Sequence, residues 1–219
     1  MKNSFSVIFD MDGVIVDNYS FHQDAWKIFC DRHGIDFGRA FRSKVFGGTN
    51  RDHLETFFER PLSAAEVADY EHEKESIYRS LYRDHIRPVR GLLPFLKALA
   101  REGVPMALAT SSPPVNVRFV LDATGTSSYF ATILDASHVT HGKPDPEIYL
   151  KTAEALNAAP DACVVFEDSL NGIEAAAKAG MTVVALTTTH QEKELPRVDL
   201  CIRDFTEIGI TELKKLLKP

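Results

Sequence analysis

Four short clusters in this chain of 219 residues carry side chains able to do chemistry together. Asp10-Met11-Asp12-Gly13 places two carboxylates two residues apart, and Thr110-Ser111-Ser112 offers hydroxyls. His141-Gly142-Lys143-Pro144 brings one ammonium, and Glu167-Asp168-Ser169 brings two more carboxylates. Each cluster follows a short apolar run of the kind that forms a buried strand, and in open α/β sheets ligands bind beyond the carboxyl ends of the strands. Gathering Asp10, Asp12, Glu167 and Asp168 at one sheet edge is costly, since two like charges about 4 Å apart repel by roughly 4 kcal/mol at an effective dielectric near 20. A divalent cation answers that cost. Magnesium takes hard oxygen ligands, keeps several waters and commonly shares its shell with a substrate phosphate. Lys143 can offset charge on a nucleophile and a transferring group without occupying a metal position, while Thr110 and nearby backbone N–H groups can bind phosphoryl oxygens.

Taken singly, each cluster has a plainer explanation. Asp-x-Asp-Gly is usually a turn or part of a calcium loop. A calcium loop, however, needs glycine sixth and glutamate twelfth between two helices, whereas here the glycine is fourth and a strand precedes it. Lys143 alone would be a surface lysine and Thr110 a routine strand-end hydroxyl. Their places after successive strands give them meaning.

Those strands read as Phe5 to Phe9, Val104 to Ala109, Ala131 to Leu134, Ala162 to Phe166, Thr182 to Leu186 and Leu200 to Ile202, each too short for a helix. Helices alternate with them: Leu92 to Arg101 ends before Gly103, Pro146 stands as a first helical residue behind Asp145, and Asn171 to Ala179 stops at Gly180. The alternation predicts an α/β fold with a doubly wound parallel sheet, Rossmann-like in character. From about Asn18 to Ile86 the rhythm breaks. Only helical patterns occur there: Phe21 to Arg32, Arg51 to Glu59, and a third opening at Ser63 with Glu66 in capping-box position. This predicts an all-helical insert over 18–86 within a core formed by 1–17 and 87–219, with Arg87-Pro88-Val89-Arg90-Gly91 as the return hinge.

Composition sets bounds on partners. A hydrophobic fraction of 44% and a charged fraction of 26% are ordinary for a globular protein. No apolar run approaches the roughly 20 residues of a spanning helix, and no signal-peptide pattern precedes Phe5, so a cytoplasmic protein with no membrane partner is expected. The three cysteines, Cys30, Cys163 and Cys201, lack C-x-x-C spacing, which argues against a disulfide framework or a zinc site. A net charge of -6 argues against nucleic acid as a partner. Monomer is the default expectation.

The ordered set Asp10-Met11-Asp12-Gly13-Val14, Thr110, Lys143-Pro144 and Glu167-Asp168-Ser169 leading into Asn171-Gly172-Ile173 resembles the haloacid dehalogenase superfamily. The similarity is greatest to its branch of β-phosphoglucomutases and small sugar-phosphate phosphatases, and it covers nearly the whole chain. The resemblance implies that Asp10 attacks phosphorus to give an aspartyl phosphate. It also implies that Asp12 protonates the leaving oxygen and then activates water. It implies a magnesium ion held by Asp10, the Asp12 backbone carbonyl and Asp168, with Glu167 as a further ligand or a partner of the ligands. Thr110 and Lys143, with Ser111 and Ser112, would hold the phosphoryl group. Gly13 would let the backbone turn past the phosphate. Resembling dehalogenases and phosphonate-cleaving relatives lack an aspartate at the place of Asp12, so phosphate ester or anhydride chemistry is implied.

The insert corresponds to the family's helical cap. His22, Arg51 and Lys74 are its candidate contacts, Arg51 matching in Gly48-Thr49-Asn50-Arg51 and Lys74 competing with His72 for one place. Trp26 and the phenylalanines read as packing, and His138, His141 and His190 as surface or loop residues. A phosphatase acting on a small phosphorylated metabolite leads. The alternative is a β-phosphoglucomutase-type mutase, which is weakened because Pro113 and Pro114 stand where resembling mutases carry a lysine and an asparagine, although Ser112 is retained. A non-enzymatic receiver-like phospho-acceptor shares the strand-end aspartate, but such modules are much shorter and lack a cap.

Overall fold

The computed structural model describes residues 5–38 and 49–217. Six strands form one parallel sheet in the order β3-β2-β1-β4-β5-β6. They are β1 (Ser6–Phe9), β2 (Met106–Ala109), β3 (Thr132–Leu134), β4 (Cys163–Glu167), β5 (Thr182–Leu186) and β6 (Leu200–Ile202). All six fall within a residue or two of the apolar runs that forecast them. The order reverses direction at β1, so the crevice beyond its carboxyl end, between β2 and β4, is the topological switch point.

Alternation along each strand divides the core into two layers. Phe9, Leu108, Phe166 and Val184 face one side, where α4 (Leu92–Arg101), α5 (Pro114–Thr124) and α8 (Ile210–Leu216) supply Leu96, Val120 and Leu213. Ile8, Ala109, Val165 and Ala185 face the other, against Ile148 of α6 (Glu147–Ala155) and Ile173 of α7 (Leu170–Lys178). Phe9 and Phe166 stack with ring centroids 5.1 Å apart, which locks the two central strands together. Pro146 is the N-cap of α6, one position before the first helical residue expected of it.

Between β1 and β2, the described residues of the expected insert hold helices and no strand: α1 (Tyr19–Arg32), α2 (Asn50–Phe58) and α3 (Ala64–Tyr82). Ser63 caps α3 in a capping box with Glu66, as its sequence foretold. Gly48, first of the Gly48-Thr49-Asn50-Arg51 stretch, lies outside the described residues. The two connections to the sheet are tied together, with Val16 bridged antiparallel to Pro88 and the Val89 N–H donating to Ile15 O at 2.9 Å. Among the described residues, no helix is long and apolar enough to cross a membrane.

Candidate active site

One cavity opens at the switch point, with walls from both parts of the chain. The sheet contributes Asp10, Asp12, Gly13, Thr110, Ser112, Lys143 and Asp168, and the helical segment contributes His22, Trp26, Asn50, Lys74 and Glu75. Asp10 sits directly after β1 and Thr110 directly after β2. Glu167 closes β4, with Asp168 immediately beyond it.

Lys143 is the electrostatic hub. Its Nζ lies 2.6 Å from Asp10 Oδ1 and 2.6 Å from Glu167 Oε1, all three side chains being buried. Burial opposes its charge, but Asp10 and Glu167 outweigh burial and hold the ammonium well above its ordinary pKa. Glu167 is saturated: Oε1 also accepts from the Tyr149 hydroxyl at 2.9 Å, and Oε2 accepts from the Asp168 N–H, the Ser169 N–H and the Ser169 hydroxyl. Burial raises its pKa, yet Lys143 and these donors bring it below the usual value. With every lone pair taken and no part in lining the cavity, Glu167 is placed as a partner of the site's groups, the second of its two expected roles, rather than as a direct ligand. It positions Lys143. Helix α7 makes room for this, since a Cβ at Gly172 would fall 1.7 Å from Glu167 Oε1.

One ammonium cannot satisfy three carboxylates. Burial, with the charges of Glu167 and Asp12 added and Lys143 opposing, pushes Asp10 up to about 8. Burial and the charges of Glu167 and Asp10 raise Asp168 well above the carboxylate range, although the Thr189 hydroxyl donates to its Oδ2. Two buried acids that cannot both ionise make a cation-hungry pair, so this donor set fits a hard divalent ion. Among the described residues, no three carboxylate, imidazole or thiolate side chains form a ready-made chelate. Two carboxylates would leave the remaining positions to backbone carbonyl, phosphate and water, which suits magnesium. Gly13 serves Asp168 as well as the turn: at φ +78° it brings its backbone so close that a Cβ would lie 2.0 Å from Asp168 Oδ2.

Asp12 is held differently. Asn18 Nδ2 donates to its Oδ1 at 2.6 Å, the Ser112 hydroxyl donates to its Oδ2, and His22 Nε2 lies 3.6 Å from Oδ1. Burial raises its pKa, but His22, Ser112 and Asn18 more than offset that and bring it to about 2. This arrangement favours the ionised form of Asp12. Thr110 is buried in the cavity wall and its Oγ1 accepts from the Ser112 N–H at 3.1 Å, while Ser111 lines the same wall.

The helical wall departs from expectation at several positions. His22 stacks on Tyr78 with centroids 3.8 Å apart, and its Nδ1 lies 2.9 Å from Lys74 Nζ. Lys74 therefore faces the cavity, and His72 is exposed outside it. Arg51 does not reach the site. Its guanidinium donates to Glu55 Oε1 at 3.0 Å and Leu62 O at 3.2 Å, because Asn50 and His53, three apart on α2, take the inward face. Trp26 and His190, read as packing and loop residues, both line the cavity. Asn18, Glu75 and Thr189 escaped notice as site residues, since isolated polar side chains in helices and loops leave no pattern by which to single them out.

A parallel sheet with a buried aspartate at its switch point, a lysine bridging that aspartate to a second strand end and a helical wall over both defines a class of strand-end aspartate hydrolases. A family model for haloacid dehalogenase-like hydrolases matches residues 6–180, and the chain belongs to that family. It is 31% identical over 207 residues to the validoxylamine A 7'-phosphate phosphatase of Streptomyces hygroscopicus subsp. limoneus, spanning 92% of this chain and 94% of that one. It is 31% identical to the β-phosphoglucomutase of Bacillus subtilis, spanning 94% and 92% respectively. Among solved structures, a family IA variant 3 hydrolase from Entamoeba histolytica superposes with a TM-score of 0.89 at 29% identity, covering 98% of this chain and 100% of that one.

Proposed function

We propose that the chain is a magnesium-dependent phosphatase that hydrolyses a small phosphorylated metabolite, a sugar phosphate in class, through an aspartyl phosphate on Asp10. The supporting observation is the hydrogen bond of 2.6 Å from Lys143 Nζ to Asp10 Oδ1 inside a cavity that also holds Asp12 and Asp168. A buried carboxylate gripped on one oxygen keeps its other oxygen for attack.

Asp10 attacks phosphorus and the P–O bond to the leaving alcohol breaks, while Asp12 takes the proton that a monoanionic ester brings with it and passes it to that oxygen. Asp12, then ionised, removes a proton from water, which attacks the acyl phosphate and frees Asp10. Ser112, Asn18 and His22 favour the ionised form of Asp12 required in this second step. Lys143 and the Thr110 hydroxyl bind the equatorial phosphoryl oxygens where negative charge accumulates. Magnesium, held by Asp10, Asp168 and the Asp12 backbone carbonyl, would supply charge neutralisation between nucleophile and phosphate. Relatives named as phosphatases of phosphorylated carbohydrates in Thermotoga maritima and of fructose 1-phosphate in Escherichia coli support the substrate class.

Phosphate release from a panel of hexose phosphates, polyol phosphates, nucleotides and pyrophosphate, with and without magnesium, tests the reading. Magnesium-dependent release abolished by Asp10→Asn is expected. Interconversion of hexose phosphates, primed by a bisphosphate and outpacing phosphate release, would instead establish the mutase.

A further inference from the structure

Among the described residues, the helical wall of the cavity carries one ammonium, and a neighbouring carboxylate already holds it. Lys74 Nζ lies 2.8 Å from Glu75 Oε1, both side chains being almost wholly buried. Glu75 is fixed on two more sides, with Asn50 Nδ2 donating to Oε1 at 2.9 Å and Asn116 Nδ2 donating to Oε2 at 2.6 Å. Burial works against its ionisation, and Lys74, His22 and Asn116 overcome that to keep it charged. Two other cations among the described residues are turned elsewhere. Arg79 donates to Asn116 Oδ1 at 2.9 Å, and Arg51 is occupied by Glu55 and Leu62 O. Pro113, which has no side-chain donor, lines the cavity beyond Ser112. Among the described residues this wall is therefore neutral in sum, with a fixed carboxylate on its face.

It also presents an acceptor without a donor. Asn18 lines the cavity and is 1% exposed. Its Nδ2 must face Asp12 and the Tyr78 hydroxyl, since an ionised carboxylate requires a donor, and this leaves the buried Oδ1 with no hydrogen-bond partner. A phosphate dianion has no proton to offer such an oxygen, whereas an alcohol has. The indole of Trp26 also lines the cavity, with the Lys74 ammonium 4.8 Å from its ring centroid, so that Lys74 is held from this side as well.

We propose that Glu75 is a specificity-determining residue: by holding Lys74 it makes the helical wall select monophosphate esters whose alcohol portion is uncharged and hydroxylated, and reject a second phosphate. The inference rests on the phosphatase reading above. Recognition is then by hydroxyl donors to Asn18 Oδ1, and rejection arises because Lys74, already paired with Glu75, has no free charge for a second phosphate, which would also meet the Glu75 carboxylate.

The test compares a hexose 6-phosphate with the corresponding 1,6-bisphosphate in wild type, Glu75→Gln and Lys74→Gln. Wild type is expected to favour the monophosphate in kcat/KM by roughly a hundredfold. Glu75→Gln, which frees the Lys74 ammonium, should narrow that ratio by about tenfold or more, chiefly through a lower KM for the bisphosphate. Lys74→Gln should widen it. Equal use of both esters by wild type, or an unchanged ratio in folded Glu75→Gln, would overturn the proposal. Should Glu75→Gln not fold, the wild-type ratio and the Lys74→Gln ratio decide. Calorimetric binding of the same two esters to Asp10→Asn with magnesium separates the two readings. Preferential binding of the monophosphate supports the role of Glu75 even if no hydrolysis is seen, and equal binding refutes it even if hydrolysis is rapid.

Discussion

Replacing Lys143 by methionine removes the one positive charge that two buried carboxylates share. Each contact, at 2.6 Å, corresponds to a gross attraction of about 6 kcal/mol at an effective dielectric near 20. Most of that is offset by the desolvation the ammonium no longer suffers. Breaking a buried pair by removing one partner leaves a net loss of roughly 3–5 kcal/mol, because the orphaned charges remain. For a chain of this size that is a fall in Tm of roughly 6–20 °C in metal-free buffer. The loss must also depend on pH. In wild type the depressed Glu167 contributes stability above its unfolded pKa, and that contribution disappears as pH falls. In Lys143→Met, Glu167 joins Asp10, already raised in wild type, in folding with a raised pKa, a penalty absent below its unfolded value that grows as pH rises. The gap between the proteins is therefore widest near about pH 8 and narrow near about pH 4 to 5. Thermal melts followed by circular dichroism read it directly. A variant melting within about 2 °C of wild type at about pH 8, or a gap constant with pH, would refute the reasoning.

Three further outcomes follow from the site. Gly13→Ala forces a Cβ against Asp168 at a φ of +78°, so kcat/KM should fall by roughly a hundredfold or more and the response to magnesium should weaken, as read by metal titration of activity. Because Asp10 is pushed up to about 8 and Asp168 is also raised, magnesium binding near neutral pH should release about one proton or more per ion. Calorimetry in buffers of different ionisation enthalpy measures this, and heats independent of buffer would contradict it. Arg51→Ala should leave kcat/KM within about twofold, as expected for an exposed helix ion pair, whereas a large rise in KM would return Arg51 to the substrate contacts.

The parallel sheet was legible because each central strand, buried on both faces, is dominated by Val, Ile, Leu, Phe or Ala, and because turns and caps punctuate the helices between them. The convergence of the proposed catalytic residues was legible for a related reason: strand ends are fixed points, so Asp10, Thr110 and Asp168 could be placed in one cavity without knowing a side-chain angle. Helical residues offer no such anchor. Arg51 and Asn50 are neighbours in sequence yet point to different faces of α2, and Glu75 sits in Glu71-His72-Glu73-Lys74-Glu75, a stretch that reads as a solvated charged face. Its burial arises from Asn116, on a helix distant in sequence, which no local pattern announces. The two roles open to Glu167, ligand or partner of the ligands, could not be separated in sequence, because its adjacency to Asp168 says nothing of the five donors that surround it.

The central claim is that the Asp10 carboxylate becomes covalently bonded to phosphorus. Rapid acid quench of wild type during turnover of a labelled phosphate ester, followed by borohydride reduction and mass spectrometry of the peptide containing residues 5–17, tests it most directly. Reduction to homoserine at position 10 alone, dependent on substrate and magnesium and absent from Asp10→Asn, is the predicted result. Turnover without modification of Asp10, or modification at another carboxylate, would contradict it.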